Sequence, residues 1–131
     1  MQVVDPPALG KPLGYANGIV AEGRFLFVAG QVGWDAERRF AEGFVAQFDR
    51  ALANVLEVVR AAGGSPETLC RLTVYVTDKH AYLRDTRAIG EAWRRHLGRH
   101  YPAMSLVQVA ALLEDGALVE LEATACLGAP R

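Results

Sequence analysis

The feature that most constrains the fold is a long amphipathic segment, GFVAQFDRALANVLEVVRAAGG, at residues 43–64. Its apolar side chains recur at intervals of three and four, which is the spacing of one buried face of a helix. The members of this face are Phe44, Phe48, Ala51, Leu52, Val55, Leu56, Val59 and Ala62. The pair Gly63-Gly64 supplies a stop signal. The rest of the chain must therefore provide an apolar layer that covers this helix.

A strand and a second helix are predicted after that stop. In CRLTVYVTD, apolar Leu72, Val74 and Val76 alternate with other side chains, which is the period of a strand. Asp78 is a suitable N-cap for a helix over about 79–97, which ends at Gly98. The apolar face of this helix contains Tyr82, Ile89, Trp93 and Leu97.

The two ends of the chain are each predicted to contain a β-hairpin. Residues 1–14 hold three of the six prolines and two glycines, so we expect an extended arm or loop there. The apolar runs of GIVAEGRFLFVAG flank Glu22-Gly23 as in a hairpin. A second hairpin is predicted for MSLVQVAALL, the turn EDG and ALVELEATACL. In its returning strand, Glu120, Glu122 and Thr124 share one face, and Val119, Leu121, Ala123 and Ala125 share the other.

The predicted order of elements, ββ, α, β, α, ββ, favours an α+β fold with one mixed β-sheet and two helices on one of its faces. The second face of the sheet is then left uncovered. We expect apolar Ala, Val and Leu side chains on it, and a small domain with such a face usually needs a partner chain. The sequence therefore predicts a homo-oligomer.

Composition excludes several classes of protein. A length of 131 residues predicts a single domain, 1–131, and 51% hydrophobic residues argue against disorder. The formal net charge is −1 and the basic residues are scattered, so we expect no nucleic-acid partner. No apolar run has the length of a bilayer span, so we expect no membrane partner. Neither a secretory signal nor a cysteine framework is evident, since Cys70 and Cys126 stand alone, which predicts a cytoplasmic protein.

Five stretches of the chain together resemble one family. They are VAGQVGWD at residues 28–35, the helix QFDRALANVLEVVRAAGG, the strand LTVYVTD, the YPA before the last hairpin, and VELEATA near the end. In this order they resemble the RidA family, also called YjgF-type reactive-intermediate deaminases. The resemblance implies a chorismate-mutase-like α+β fold and a homotrimer with small-molecule clefts between its subunits. We expect no cofactor and no metal.

The resemblance also implies roles for individual residues. In deaminating members a glutamate in the last strand positions the water that hydrolyses an enamine or imine, and this glutamate corresponds to Glu120. The Gly-Gln motif of the cleft corresponds to Gly30 and Gln31, and the N-terminal tyrosine of the family corresponds to Tyr15. An alternative for Glu120 is a solvated sheet residue or a structural hydrogen-bond acceptor.

One residue departs from the family pattern in a way that affects the chemistry. The family has PAR, whose arginine binds the substrate carboxylate, where this chain has PAM, so Met104 takes that position. Loss of a bidentate guanidinium–carboxylate contact costs an anionic ligand roughly 2–5 kcal/mol, and methionine offers only apolar contact. We therefore expect a less anionic ligand unless another cation compensates, and Arg99 is the nearest candidate in sequence.

Other candidate residues carry weaker signals. His96 and His100 have helical ligand spacing, but Gly98 interrupts the helix between them, so no metal site is predicted. Trp34 is a candidate for the roof of the cleft, with a core edge as the alternative. On a flat terminal hairpin, Met104 and Glu120 would lie roughly 23 Å apart along the strands, so a second chain or strong curvature must bring them into one pocket.

Two functions from different classes follow from these residues. The first is an enamine or imine deaminase, a hydrolase that uses Glu120 and a water on a less anionic substrate. The second is a non-catalytic binding or regulatory trimer that holds a metabolite in the same cleft. Ribonuclease activity, a third possibility within the family, is disfavoured because the balanced charge offers no basic stripe for RNA.

Overall fold

A computed structural model describes residues 1–128, and the last three positions of the predicted 1–131 domain lie outside the described residues. The described residues form strands and helices in the order β1 (Gln2–Val4), β2 (Gly18–Val20), β3 (Phe25–Val32), α1 (Phe44–Ala61), β4 (Leu69–Val76), α2 (Lys79–Arg84), α3 (Thr86–Leu97), β5 (Ala103–Gln108) and β6 (Val119–Cys126).

The helix α1 forms where the apolar periodicity predicts it. Leu52, Val55, Leu56 and Val59 are fully buried on one of its sides. Gly63 follows the helix with a φ of 87°, a left-handed conformation that glycine adopts without steric cost. This helix contacts β3, β6 and α3, so its apolar face lies at the centre of the core.

The second predicted helix is present but interrupted. The Asp78 carboxylate accepts a hydrogen bond from the His80 backbone N–H at 2.9 Å, as expected for an N-cap. The helix breaks at Asp85, whose backbone leaves the helical region with ψ of 34°. Two consecutive helices, α2 and α3, therefore replace the continuous helix over 79–97.

Four strands form a mixed sheet in the order β3-β6-β4-β5. Strands β4 and β5 are parallel, whereas β6 is antiparallel to both of its neighbours. Alternate residues of β4 and β6 join the helices in one buried cluster. The predicted α+β fold with a mixed sheet and helices packed on one face is confirmed.

Both predicted hairpins are wrong. Strand β2 pairs with β1 in a separate two-stranded sheet, and β3 pairs with β6 instead. Strand β5 does not pair with β6, because β6 is inserted between β3 and β4. In this position the backbone of β6 forms hydrogen bonds with both neighbouring strands, while Val119 and Leu121 are fully buried. At the edge of the sheet, one side of the β6 backbone would have no strand partner.

The expected composition of the uncovered sheet face is also wrong. The side chains of Val119, Leu121, Ala123 and Ala125 are buried in the core. The opposite side of the sheet, here called the open face, presents Phe27 of β3, Tyr75 of β4, and Glu120 and Glu122 of β6; Tyr75 pairs with Glu120, and Phe27 pairs with Thr124. The strand period assigns residues to two faces, but it does not say which face the helices will cover.

The N-terminal segment is more ordered than the predicted extended arm. It contains β1 and a short 3₁₀ turn at Pro7–Leu9. The Ala16 backbone N–H donates to the Pro102 carbonyl at 3.1 Å, and Ala16 forms an isolated bridge with Ala103. These bonds place Tyr15 next to β5. Among residues 1–128, no helix combines the length and hydrophobicity that crossing a bilayer requires.

Candidate functional site

The carboxylate of Glu120 lies against the backbone of Gly30. Strand β3 changes register between Val28 and Gln31, so Ala29 and Gly30 form a bulge opposite β6. A Cβ built at Gly30 would lie 2.8 Å from the Glu120 carboxyl carbon, closer than real side chains approach. The Gln31 side-chain amide donates to the Ala29 carbonyl at 3.3 Å and closes the bulge. The predicted residues Gly30, Gln31 and Glu120 are thus brought together.

A tyrosine adjoins this carboxylate on the open face. Tyr75 lies opposite Glu120 in the β4–β6 ladder. Its hydroxyl donates a short hydrogen bond to the Glu122 carboxylate, and this bond is the main reason that the pKa of Tyr75 is raised. The negative charges of Glu122 and Glu120 act in the same direction. Tyr75 therefore keeps its proton beside Glu120 well into the alkaline range.

Met104 lies on the opposite side of the sheet. It pairs with Leu72 in the β4–β5 ladder, whereas Glu120 pairs with Tyr75. Leu72 and Tyr75 are three residues apart on one strand, so their side chains leave opposite faces. The separation of roughly 23 Å expected on a flat hairpin does not apply, because β5 and β6 do not form a hairpin. Since the two side chains lie on opposite faces of the sheet, one chain still does not place Met104 and Glu120 in one pocket.

Met104 forms part of the wall of a cleft between the sheet and α3, here called the Met104 cleft. The cleft has a volume of about 380 Å³ and is also lined by Leu106, Tyr15 and Trp93. The half-buried Met104 packs against the apolar core. Of the predicted binding residues, Tyr15 and Met104 therefore meet here, whereas Glu120 lies against Gly30 on the open face, with Gln31 next along the strand.

A cation that sequence reasoning missed also lines the Met104 cleft. It is Arg94 of α3, whereas Arg99, the candidate chosen for its sequence position, lines a neighbouring depression with Lys11. In the sequence, Arg94 directly follows Trp93 and stands four residues after Gly90, about one helical turn. This spacing was visible in the sequence, but the position of α3 relative to β5 was not.

Trp34 is not among the residues that line the Met104 cleft. Its ring packs against Phe40 at 5.3 Å between ring centroids, and the Arg38 guanidinium lies 5.5 Å from its centroid. Its carbonyl accepts a hydrogen bond from the Asn54 amide at 2.9 Å. In the single chain, Trp34 orders the loop that follows β3.

The two histidines considered for a metal have separate partners. His96 Nε2 lies 3.0 Å from the Asp49 carboxylate, and His100 Nε2 lies 2.6 Å from the Leu69 carbonyl oxygen. The Trp93 indole also donates to the His100 carbonyl at 3.1 Å. Both histidines therefore fasten α3 and its C-terminal turn to neighbouring elements.

Comparison with known proteins identifies the family. The family model described as Endoribonuclease L-PSP matches residues 8–127. The chain belongs to this family, the RidA or YjgF-type family. A RutC family protein of Pyrococcus abyssi is 32% identical over 117 residues, which cover 88% of each chain. The human 2-iminobutanoate/2-iminopropanoate deaminase is 30% identical over 125 residues, which cover 94% of this chain and 85% of the human one.

Solved structures of RidA-family proteins share the fold. A Rid protein of unknown function from Yersinia pestis, YyfB, is 35% identical, with a TM-score of 0.84 and coverage of 96% of this chain and 98% of its own. TdcF of E. coli, solved with bound serine, is 32% identical, with a TM-score of 0.68 and coverage of 89% and 91%. Relatives that carry a deaminase name and a relative that holds a small molecule are thus both similar to this RidA-family protein.

Proposed function

We propose that this RidA-family protein forms a homotrimer, binds a small metabolite between its subunits and hydrolyses an enamine or imine there. The observation that carries the proposal is the Glu120 carboxylate, half-buried and seated in the bulge at Gly30 beside Gln31. Similarity to proteins named 2-iminobutanoate/2-iminopropanoate deaminase supports the same reaction class. Two thiols that are free in the described residues, Cys70 and Cys126, fit a reducing cytoplasm.

The chemistry requires one base and one water. Glu120 accepts a proton from water as the oxygen attacks the C=N carbon, and the proton is then delivered to nitrogen. The C–O bond forms, the C–N bond breaks, and the products are a carbonyl compound and ammonia. No electron transfer is needed, so this reaction requires no redox cofactor.

An intersubunit site follows from the placement of the residues. Because Glu120 and Met104 leave opposite faces of one sheet, a pocket that uses both must combine the open face of one chain with the Met104 cleft of another. Trp34, which lies outside the Met104 cleft of its own chain, is then available on the Glu120 side as a wall of the completed pocket.

The substrate preference is proposed to differ from that of relatives with arginine at the position of Met104. The β5 wall offers a thioether and Leu106, so a small imine whose carboxylate must reach this wall gains no charge-assisted bond there. We expect 2-iminopropanoate to be a poorer substrate than imines whose substituent near β5 is neutral and apolar.

The test compares the hydrolysis of two imines by wild-type protein and by Glu120→Gln. Each imine, 2-iminopropanoate and a neutral aliphatic imine, is generated in place by an amine or amino-acid oxidase, and ammonia release is followed. We expect wild-type protein to accelerate ammonia release and Glu120→Gln to lower kcat by at least about 100-fold, the usual contribution of a general base. Glu122→Gln, on the same face and with the same chemical change, is the control and is expected to remain active.

The alternative function is a binding trimer without catalysis. The observation that favours it is the relative solved with bound serine, a molecule with no imine to hydrolyse. Under this alternative, wild-type protein accelerates no imine, and Glu120→Gln changes only ligand affinity. Ribonuclease activity stays disfavoured by the net charge of −1.

A further inference from the structure

The described lining of the Met104 cleft carries one net positive charge. Arg94 is the charged residue among the side chains that line it, and that lining contains no Asp or Glu. The same lining also contains four side chains with hydroxyl groups, those of Tyr15, Tyr82, Thr86 and Tyr101. A cleft with this lining attracts an anion and has no carboxylate of its own to neutralise it.

The other charged side chains in this part of α3 have partners. The Arg95 guanidinium lies 3.0 Å from the Asp49 carboxylate, which His96 also contacts at 3.0 Å. Arg87 lies 3.6 Å from Glu91. No acidic group of residues 1–128 lies within ion-pair distance of Arg94, so its guanidinium remains available to a ligand.

The Arg94 guanidinium lies over the turn of α3 that contains Gly90. Helical side chains point back towards the N-terminus, so Arg94 covers the turn that contains Gly90. A Cβ built at Gly90 would be 3.4 Å from one terminal nitrogen of Arg94 and 3.9 Å from the other. The guanidinium therefore lies against the backbone of α3 at Gly90, and Arg94 lines the cleft while remaining exposed to solvent.

The remaining walls are aromatic and apolar. Trp93 and Tyr101 stack with a centroid separation of 6.0 Å and an interplanar angle of 3°. Met104 and Leu106 form the sheet side. A volume of about 380 Å³ suits a small organic molecule and excludes a folded segment or an oligonucleotide.

We propose that Arg94 is the anion-recognition residue of the Met104 cleft, and that the ligand is a carboxylate with an apolar or aromatic body. Its carboxylate lies at α3 and its body packs on Met104 and Leu106. The assignment of this ligand as substrate rests on the proposed function; the binding preference itself does not. The charge is thus recognised from the helix side of the cleft, while β5 selects for apolar bulk.

The experiment measures binding of a matched pair of probes by titration calorimetry at low ionic strength. The probes are 3-phenylpropanoate and its neutral isostere 3-phenylpropanamide. We expect wild-type protein to bind the carboxylate about tenfold more tightly than the amide, as one charge-assisted contact provides, and Arg94→Gln to bind both equally. Arg87→Gln, which removes a paired cation from the same helix outside the cleft, is the control and keeps the preference.

Two outcomes would overturn the assignment: a wild-type protein that binds neither probe or does not prefer the carboxylate, or an Arg94→Gln protein, folded by its thermal melt, that keeps the preference. The proposed function fails separately. If no imine is hydrolysed but the Arg94-dependent preference is measured, including in Glu120→Gln, the deaminase proposal falls and the recognition site stands.

Discussion

Gly30 is a position where the absence of one methyl group determines the placement of a candidate catalytic group. The Glu120 carboxyl occupies the space in which any other residue at position 30 would place its Cβ. Gly30 therefore leaves the space that the carboxylate of Glu120, the proposed base, occupies.

Replacing this glycine tests that role. In Gly30→Ala the new methyl displaces the Glu120 carboxylate, and a shift of about 1 Å is expected to lower kcat for imine hydrolysis by about 100-fold. Ammonia release under saturating imine measures the effect, and a thermal melt checks the fold. Gly18→Ala is the matched control, because the nearest atom to its new Cβ is 3.7 Å away. Equal activity of the two variants would contradict the positioning role.

At the scale of elements, one buried polar side chain joins α1 to two loops. Gln47 is 3% exposed. Its amide donates to the carbonyls of Ala41 and Gly116 at 3.2 and 3.0 Å, and its side-chain oxygen accepts from the Leu118 N–H at 2.8 Å. The backbone of Gly33 packs directly on it. Gln47 thus fastens the entry to β6 and the loop after β3 onto the helix.

Replacing Gln47 by leucine is expected to destabilise the fold even though it makes α1 more apolar. Three backbone groups lose their partner, and leaving such buried groups unpaired is expected to lower the free energy of unfolding by roughly 2–4 kcal/mol. Urea unfolding followed by circular dichroism provides the measurement. Gln2→Leu, the same change at an exposed position of β1, should be close to neutral. A neutral Gln47→Leu would show that the loops find other hydrogen-bond partners.

At the scale of the whole molecule, the open face is the side of the sheet that the helices of a single chain do not cover. Phe27 is 78% exposed there, in register with Thr124 of β6. The same face carries the Tyr75–Glu122 pair and Glu120. A face that mixes a large exposed aromatic ring with directed polar groups is suited to a specific partner surface, and in the proposed homotrimer that partner is another copy of the chain.

The proposed assembly predicts a mass of three chains of 14.2 kDa each in light scattering. Phe27→Glu should shift the mass towards one chain and abolish imine hydrolysis, because it places a charge in a surface that assembly must desolvate. Leu83→Glu is the control: Leu83 is also exposed, but it lies on α2, away from the open face. A monomeric wild-type protein, or a trimeric and active Phe27→Glu, would contradict the proposed assembly.

The sequence by itself determined the elements whose patterns are local. The period of α1, the alternation of β4 and the cap at Asp78 depend on neighbours a few residues away, and the structure confirms each of them. Resemblance of motifs also pointed to Gly30 and Glu120, which the fold brings into contact, and to Tyr15 and Met104, which share a cleft.

Only the tertiary structure decided which strands pair, and with them the arrangement of the candidate site. The alternation in β6 is the same whether its neighbour is β5 or β4, so the pattern assigned its faces without assigning its partners. The insertion of β6 between β3 and β4 places Glu120 beside Gly30 and on the face opposite Met104. The position of α3 across the cleft from β5 makes Arg94 part of the cleft wall, because contacts between residues distant in sequence depend on the summed packing of the core rather than on any local pattern.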